Sequence, residues 1–236
     1  MRWIFYRIFF TVGYILMLPT FLPRMLRRGG YRRNFAHRFG RYDPETLAKL
    51  SASGSPFVWI HAVSVGEVYV AGQFMRGLRD AAKGIRFVLS TTSSTGWQEA
   101  SKQLAPDDVL IYNPLDFSGC VRRALDTIRP QAFILTESEL WPTLIRACHK
   151  RKIPLFLVNG RVSDRSASGY RRLRFWFGPV LRCFDVLMVQ SDEDRKRLLA
   201  AGADGTKIQV TGSAKYDVAN RNAKTEAMAS TMLERR

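Results

Sequence analysis

Residues 57–92 of the 236-residue chain read FVWIHAVSVGEVYVAGQFMRGLRDAAKGIRFVLSTT. Two short runs rich in β-branched and aromatic residues, 57–63 and 86–92, enclose a stretch from Gly66 to about Lys83 whose apolar residues recur at helical spacing. Strands that are apolar on both faces and joined by a helix are typical of a parallel sheet. This stretch therefore predicts a βαβ unit.

The alternation continues along the chain and predicts a doubly wound α/β domain, in which helices cover both faces of a parallel sheet. With 46% apolar and 24% charged residues, the composition is that of a globular protein and argues against wholesale disorder. Three scattered cysteines argue against a disulfide framework. Further strands are predicted at 108–114, 131–137, 153–159, 185–191 and 207–213, and further helices near 94–104, 117–128, 140–151, 166–183 and from 191–194 onward.

The first 41 residues carry nine arginines and no acidic residue, which is about half of the net charge of +17. An uncharged run of 15 residues, 8–22, precedes seven arginines at 24–41. A membrane span needs about 20 apolar residues, which this run reaches only with residues 3–6 included, and Pro19 would kink or end the helix. We expect a membrane-anchor helix that spans the bilayer or lies in its interface. An ordinary buried helix and a cleaved signal peptide are the alternatives.

Excess positive charge is also common in nucleic-acid-binding proteins. Here the arginines adjoin an apolar run, and the sequence has no helix-turn-helix, zinc-finger or RRM signature. We therefore expect no nucleic-acid partner. The arginines suit anionic lipid headgroups and favour the cytoplasmic side of a membrane for the rest of the chain.

Ligands of parallel α/β sheets bind beyond the carboxyl ends of the strands, and several charged residues follow the predicted strands. Glu67 opens the helix after the first strand, where the helix dipole favours negative charge, so it is a candidate proton acceptor. Glu137 ends a buried strand and is harder to explain as a helix cap than Glu139, which precedes Pro142. Lys215 follows the last strand and could contact a phosphate or a developing negative charge.

Each of these residues also has a purely structural interpretation. Glu67 could be an ordinary helix-start glutamate, the two acids of ESELWP could be caps, and Lys215 could be a solvated surface lysine. His61, inside a strand, is more consistent with a hydrogen-bonded core residue than with a ligand. The three histidines lack metal-ligand spacing, so we predict no metal site. The aromatic residues of the basic helix at 166–183 could belong to the core or to a second membrane-facing surface.

Four motifs in order make a more specific pattern than any single element: HAVSVGEV at 61–68, ESELWP at 137–142, NGRVSDRSASGY at 159–170 and TGSAKYD at 211–217. Together they resemble the transferases of 3-deoxy-D-manno-oct-2-ulosonic acid (Kdo) in lipopolysaccharide synthesis. The basic YRRNFAHRFGRY stretch behind the apolar run is similar too. The differences are small, since Gly160 stands where alanine is commoner, and Ala214 and Tyr216 replace bulkier residues.

The resemblance implies the N-terminal, Rossmann-like half of an inverting GT-B glycosyltransferase that moves Kdo from CMP-Kdo to a lipid A precursor. It implies that Glu67 is the general base, and that Glu137 and Lys215 stabilise the transition state. A carboxylate can take the proton of the attacking hydroxyl, and a lysine can stabilise the charge that builds on the departing CMP. The residues expected to bind the acceptor are Ser64, Gly66, Arg161 and Ser213.

The resemblance also implies no cofactor beyond the CMP-Kdo donor, an anionic membrane surface as partner, and a location at the cytoplasmic face of the bacterial inner membrane. We expect an anchor and basic segment at 1–41, a linker at 42–56, the acceptor domain at 57–220, and the start of an interdomain segment at 221–236. On this interpretation the donor-binding C-terminal domain is missing, and this chain alone is expected to be inactive. The alternatives are another membrane-associated GT-B glycosyltransferase, which would use a UDP-sugar, and a non-catalytic module that binds anionic lipid.

Overall fold

The computed structural model describes residues 6, 8, 10–17, 19, 34–52, 56–137 and 139–214. Within them, seven strands form one sheet in the order β3-β2-β1-β4-β5-β6-β7, and every neighbouring pair is parallel. The predicted doubly wound parallel sheet is therefore confirmed. The strands are β1 (Phe57–His61), β2 (Arg86–Thr91), β3 (Val109–Tyr112), β4 (Ala132–Thr136), β5 (Leu155–Gly160), β6 (Val186–Val189) and β7 (Ile208–Val210).

Helices follow the strands along the chain, and two short 3₁₀ segments, Phe35–Phe39 and Gly205–Lys207, accompany them. Residues 6–19, where described, are helical and are called the N-terminal helix below. The other helices are α1 (Pro44–Ser51), α2 (Val65–Ala81), α3 (Ser94–Ser101), α4 (Ser118–Ile128), α5 (Pro142–Lys150), α6 (Asp164–Arg172), α7 (Arg174–Leu181) and α8 (Asp192–Ala200).

The strand order reverses between β1 and β4. From β1 the chain builds the sheet outward through β2 to β3, and it then returns to pair β4 with the other side of β1, where His61 lies opposite Leu135. In open α/β sheets a ligand crevice forms at such a reversal, outside the carboxyl ends of the two strands. The residues that follow β1 and β4 are therefore placed side by side at this crevice.

The core has two layers, one on each face of the sheet. Successive residues of a strand point to opposite faces, so Phe57 and Trp59 join one cluster while Val58 and Ile60 join the other. All five residues of β1 are buried, as is typical of a strand covered by helices on both faces. Burying a side chain of this size stabilises the folded state by about 1.5–3 kcal/mol.

The one wrong element is the helix predicted at 166–183. Two helices, α6 and α7, occupy this region and meet at Leu173, which leaves helical geometry with φ −102° and ψ 27°. Residues seven apart lie about 10 Å apart along a straight helix, whereas the rings of Tyr170 and Phe177 approach to 4.4 Å. The break lets both rings pack together against the core.

Residues 34–52 fold onto the domain. Helix α1 lies inside the predicted linker 42–56 and is capped by Asp43, whose carboxylate accepts a hydrogen bond from the Thr46 amide (2.9 Å). Tyr42 belongs to the core. Arg38 is buried and donates to the carbonyl of Thr92 (2.6 Å), so this arginine binds the protein instead of a lipid headgroup.

The N-terminal helix packs on the domain with one face. Phe10 and Tyr14 contact the ring of Phe117, with centroids 5.2 and 5.5 Å away. The opposite face is apolar and exposed. None of the helices in the described ranges combines the length and apolar character needed to cross a membrane. The anchor stays a prediction, and residues 215–236 lie outside the described residues.

Candidate active site at the sheet reversal

Glu67 lies in the first turn of α2, directly after β1, and is 5% exposed. Its carboxylate accepts hydrogen bonds from the amides of Val63 (2.9 Å) and Ser64 (3.2 Å), and the Ser64 hydroxyl accepts from the Glu67 amide (3.3 Å). This is a capping box, so Glu67 does stabilise its helix. The Thr136 hydroxyl at the end of β4 shares its proton between the His61 carbonyl (2.8 Å) and Glu67 Oε2 (3.2 Å). A cap alone does not require this last contact across the reversal.

Glu137 directly follows β4, and Asn159 is the last residue but one of the neighbouring strand β5. Both have a left-handed backbone, with φ 56° and 54°. The Glu137 amide donates to the carbonyl of Val158 (3.0 Å), which ties the two strand ends together. Non-glycine residues adopt this region at a cost, and such strain gathers at functional sites.

Glu139 completes a group of three carboxylates. Burial, and then the negative charges of Glu67 and Glu137, raise the pKa of Glu139 above its usual range. Tyr170 of α6 also faces this group, since burial and then the charge of Glu139 raise the pKa of its hydroxyl. Glu139 therefore lies close enough to Glu67 and Glu137 to be affected by their charges, and the roles predicted for these acids stay predictions.

The acids of ESELWP do not cap α5, although that was the alternative explanation for them. The N-cap residue Trp141 makes no side-chain cap. The first-turn amides of Thr143 and Leu144, which have no acceptor within the helix, instead donate to Asp116 at 2.8 Å each. Asp116 follows β3 and is a residue that sequence reasoning missed, because its partners lie 27 and 28 positions away.

The loop 159–163 after β5 is held from three sides. The Asn159 side-chain oxygen accepts from the amide of Ala214 (3.0 Å), which joins this loop to the segment after β7. The Val162 amide donates to the buried carboxylate of Asp194 (2.8 Å), and Arg197 donates to the Val162 carbonyl (2.5 Å). Arg161 is exposed between these anchors. The sequence placed Asp194 only in the segment 191–194 where a helix was predicted to begin, and its amide does donate to the capping Ser191 hydroxyl there.

The remaining residues predicted to bind an acceptor lie at the same edge. Ser64 is exposed and Gly66 is half-buried at the start of α2, and Ser213 is half-buried beyond β7. The Asn159–Ala214 bond brings the segment of Ser213 to the end of β5. Lys215 is outside the described residues, so its predicted role stays a prediction.

His61 is a buried core residue, as predicted. Its Nδ1 lies 2.9 Å from the Ser90 hydroxyl, which also accepts from the Trp59 indole (2.8 Å). Burial lowers the pKa of His61 to about 4, so the imidazole is neutral at physiological pH. In the described parts of the chain, no group of three or more His, Cys, Asp and Glu side chains is arranged to hold a metal ion.

The aromatic residues of α6 and α7 divide between the two alternatives left open by the sequence. Tyr170 and Phe177 pack on the core, whereas Phe175 is 52% exposed, as is the nearby aliphatic Leu173 at 41%. The exposed pair lies among arginines that are also exposed, namely Arg165, Arg171, Arg172 and Arg174.

Taken together, the edge offers a placed carboxylate, two further acids, hydroxyl groups and an exposed arginine. Glu67 Oε2 receives the Val63 amide and part of the Thr136 proton, while Oε1 receives only the Ser64 amide among the described residues. A carboxylate oxygen can accept two hydrogen bonds, so Oε1 keeps room for a hydroxyl donor. Such an arrangement can accept a proton from a bound alcohol.

The sequence is similar to known transferases. A relative from Bordetella pertussis, a 3-deoxy-D-manno-octulosonic acid transferase, is 36% identical over 206 residues, covering 83% of this chain and 45% of that protein. The transferase of the same name from Chlamydia pneumoniae is 28% identical over 224 residues, covering 93% of this chain and 49% of that protein. The chain thus spans about half the length of these curated relatives.

A solved structure supports the fold alone. The UDP-GlcNAc 2-epimerase from Methanocaldococcus jannaschii superposes with a TM-score of 0.50 at 13% identity, covering 76% of this chain and 53% of that one. Residues 33–218 match the family model described as 3-Deoxy-D-manno-octulosonic-acid transferase (kdotransferase). That match includes all four motifs of the sequence, and the chain belongs to this transferase family.

Proposed function

We propose that the gene product carrying these residues is an inverting glycosyltransferase that moves Kdo from CMP-Kdo to a lipid A precursor in lipopolysaccharide synthesis. This domain is the acceptor half, and a C-terminal domain binds the donor. The observation that carries the proposal is the position of Glu67, a buried carboxylate held across the strand reversal by Thr136 and open to one more donor at Oε1. Family membership supports the choice of Kdo as the sugar.

In the proposed reaction, Glu67 takes the proton of an acceptor hydroxyl while the hydroxyl oxygen bonds to the anomeric carbon of Kdo. The bond from that carbon to the phosphate oxygen breaks, and CMP leaves with the electron pair. General-base catalysis of this kind contributes about 10²–10⁴-fold to the rate. The reaction needs no redox cofactor, because no atom changes oxidation state.

The other site residues stabilise this transfer. Glu137 faces the developing positive charge of the sugar, and Lys215 compensates the negative charge that builds on the leaving group. Ser64, Gly66, Arg161 and Ser213 bind the acceptor. Arg161 is exposed and yet held by a fixed loop, which suits a phosphate of the acceptor.

The proposed location is the cytoplasmic face of the inner membrane, with an anionic membrane surface as partner. The acyl chains of the acceptor require access from the bilayer. The exposed apolar face of the N-terminal helix and the arginines at 24–41 other than the buried Arg38 are consistent with binding to that surface.

The test is transfer of labelled Kdo from CMP-Kdo to a lipid A precursor by the complete gene product. Glu67→Ala should lower kcat/KM by about 10²-fold or more. Glu45→Ala is the matched control, because Glu45 also lies in the first turn of a helix but is exposed on α1, so activity should be unchanged. Turnover with a UDP-sugar instead would favour another GT-B transferase. Lipid binding without turnover with either donor would favour the non-catalytic module.

A further inference from the structure

Asp116 is a buried acid that the proposed chemistry does not use. It is 2% exposed in the loop between β3 and α4. Both of its carboxylate oxygens are occupied by amides of α5, one by Thr143 and the other by Leu144. The carboxylate gives each of these two donors an oxygen of its own, which suits the start of α5.

The same carboxylate has a third donor from far away in the sequence. The Tyr6 hydroxyl of the N-terminal helix donates to Asp116 Oδ2 at 2.7 Å, across 110 positions. The next residue, Phe117, receives the rings of Phe10 and Tyr14. The N-terminal helix therefore contacts the loop 113–117 at two neighbouring residues, Asp116 and Phe117.

A second contact from the N-terminal region fixes this loop. The Leu115 amide donates to the carbonyl of Arg38 (2.8 Å), and the buried Arg38 side chain reaches the carbonyl of Thr92 at the end of β2. The loop 113–117 thus connects the N-terminal region with α5. Helix α5 begins directly after Glu137 and Glu139, and only Leu140 and Trp141 separate Glu139 from its first residue, Pro142.

We propose that Asp116 is a positioning residue: it joins the N-terminal helix to the start of α5, so that the seating of this helix sets where the loop of Glu137 and Glu139 lies relative to Glu67. The proposal deepens the proposed function and rests on it for its effect on catalysis. Burial raises the pKa of Asp116 to about 6, although its hydrogen bonds to Thr143, Tyr6 and Leu144 act in the opposite direction. A buried charge of this kind is costly to the fold, and its place in a link between the two elements gives it a role beyond packing.

The experiment uses the complete gene product and two matched variants of the N-terminal helix. Tyr6→Phe keeps the ring and removes the donor to Asp116. Tyr14→Phe removes a hydroxyl from the same helix, while its ring contact with Phe117 remains. Hydrogen exchange of residues 139–145 reads the link directly, and kcat and KM for Kdo transfer read its consequence.

We expect Tyr6→Phe to speed exchange of residues 139–145 by about tenfold, since one hydrogen bond to the charged Asp116 carboxylate is lost. We expect kcat to fall by about tenfold, because small displacements of catalytic groups lower the rate of the chemical step. The KM for the acceptor should change less than about twofold. Tyr14→Phe should alter neither quantity. Asp116→Asn should reproduce the exchange pattern, with the overall fold checked by circular dichroism.

Unchanged exchange in Tyr6→Phe would overturn the link. Faster exchange with unchanged kcat would overturn the positioning role, and so would an equal loss of kcat in Tyr14→Phe. If the wild-type protein shows no Kdo transfer, the proposed function fails, whereas the exchange result still decides whether Asp116 couples the two elements.

Discussion

Replacing Glu67 by glutamine separates its two roles, helix cap and proton acceptor. The amide keeps the volume of the carboxylate and one of its oxygens. That oxygen can take the Oε2 position, where it accepts from Val63 (2.9 Å) and Thr136 (3.2 Å). The amide nitrogen must then face the Ser64 amide, now 3.2 Å from Oε1, and two donors would oppose each other. One hydrogen bond to a charged group is lost, and one buried donor is left without a partner.

The structure gives a magnitude for each role. Leaving a buried donor unsatisfied costs about 1–3 kcal/mol, so the free energy of unfolding should fall by that amount. Loss of the proton acceptor should lower kcat/KM by about 10²–10⁴-fold, which corresponds to about 3–5 kcal/mol in the transition state. The loss of activity should therefore exceed what the loss of stability can explain.

The assay compares Glu67→Gln with a variant that is destabilised elsewhere. Ile128→Val removes one buried methyl group at the end of α4, on the opposite edge of the sheet, and should cost about 1 kcal/mol. Urea unfolding of both variants gives the stability, and Kdo transfer from CMP-Kdo gives kcat/KM. A loss of activity below about tenfold in Glu67→Gln, with its stability lowered as expected, would mean that Glu67 is only a cap and would refute the general-base assignment.

Three further predictions concern stability. Burial raises the pKa of Asp116 to about 6, so the folded state binds a proton more tightly than the unfolded state, and the free energy of unfolding should fall as pH rises from about 4 to 6 and level off above. His61, with a pKa of about 4, acts in the opposite direction. The difference in unfolding free energy between wild type and Asp116→Asn therefore isolates the contribution of the aspartate. Gly40→Ala should lower the free energy of unfolding in urea by about 2 kcal/mol or more, because Gly40 has φ +67° and a Cβ there would lie 2.6 Å from a backbone oxygen of α4. Gly169→Ala, with open space around the new methyl group, should instead raise it by about 0.5–1 kcal/mol. Asn159→Ala should cost about 2 kcal/mol in thermal unfolding, since it loses the acceptor for Ala214 and a side chain that tolerates the left-handed backbone.

The sequence predicted the sheet well because its signal is local. Each strand is a short apolar run, and all seven lie within the predicted ranges or extend one residue beyond, as β5 does to Gly160. The break at Leu173 escaped because both halves of the region have helical periodicity. Only the packing of Tyr170 against Phe177, a tertiary contact, separates one helix from two.

The acidic residues of the candidate site could be named from the sequence, whereas the residues that bond to the surrounding loops and helices could not. Glu67 and Glu137 could be found because the carboxyl ends of parallel strands meet at one edge. Asp116, Thr136 and Asp194 could not, because their partners are 27 or more positions away and each looks like an ordinary polar residue in its own segment. Periodicity describes neighbours along one element, and these bonds join different elements.

The positions of backbone strain give an independent reason to place the site at the reversal. Among the described residues, five non-glycine residues have positive φ. Arg129 is the C-cap of α4 and Lys152 follows the end of α5, where a left-handed residue is the usual way to end a helix, and Asn34 begins a 3₁₀ segment.

Glu137 and Asn159 are the two that no helix terminus explains. They end adjacent strands, and each costs about 1–3 kcal/mol in backbone strain. Packing alone gives no reason to keep an acid and an amide in this conformation, because a glycine would adopt it without strain. What the two share is a polar side chain at the carboxyl ends of adjacent strands, one as a carboxylate and the other as the acceptor that holds Ala214. The strain is therefore best accounted for by the placement of these polar groups beside the candidate site.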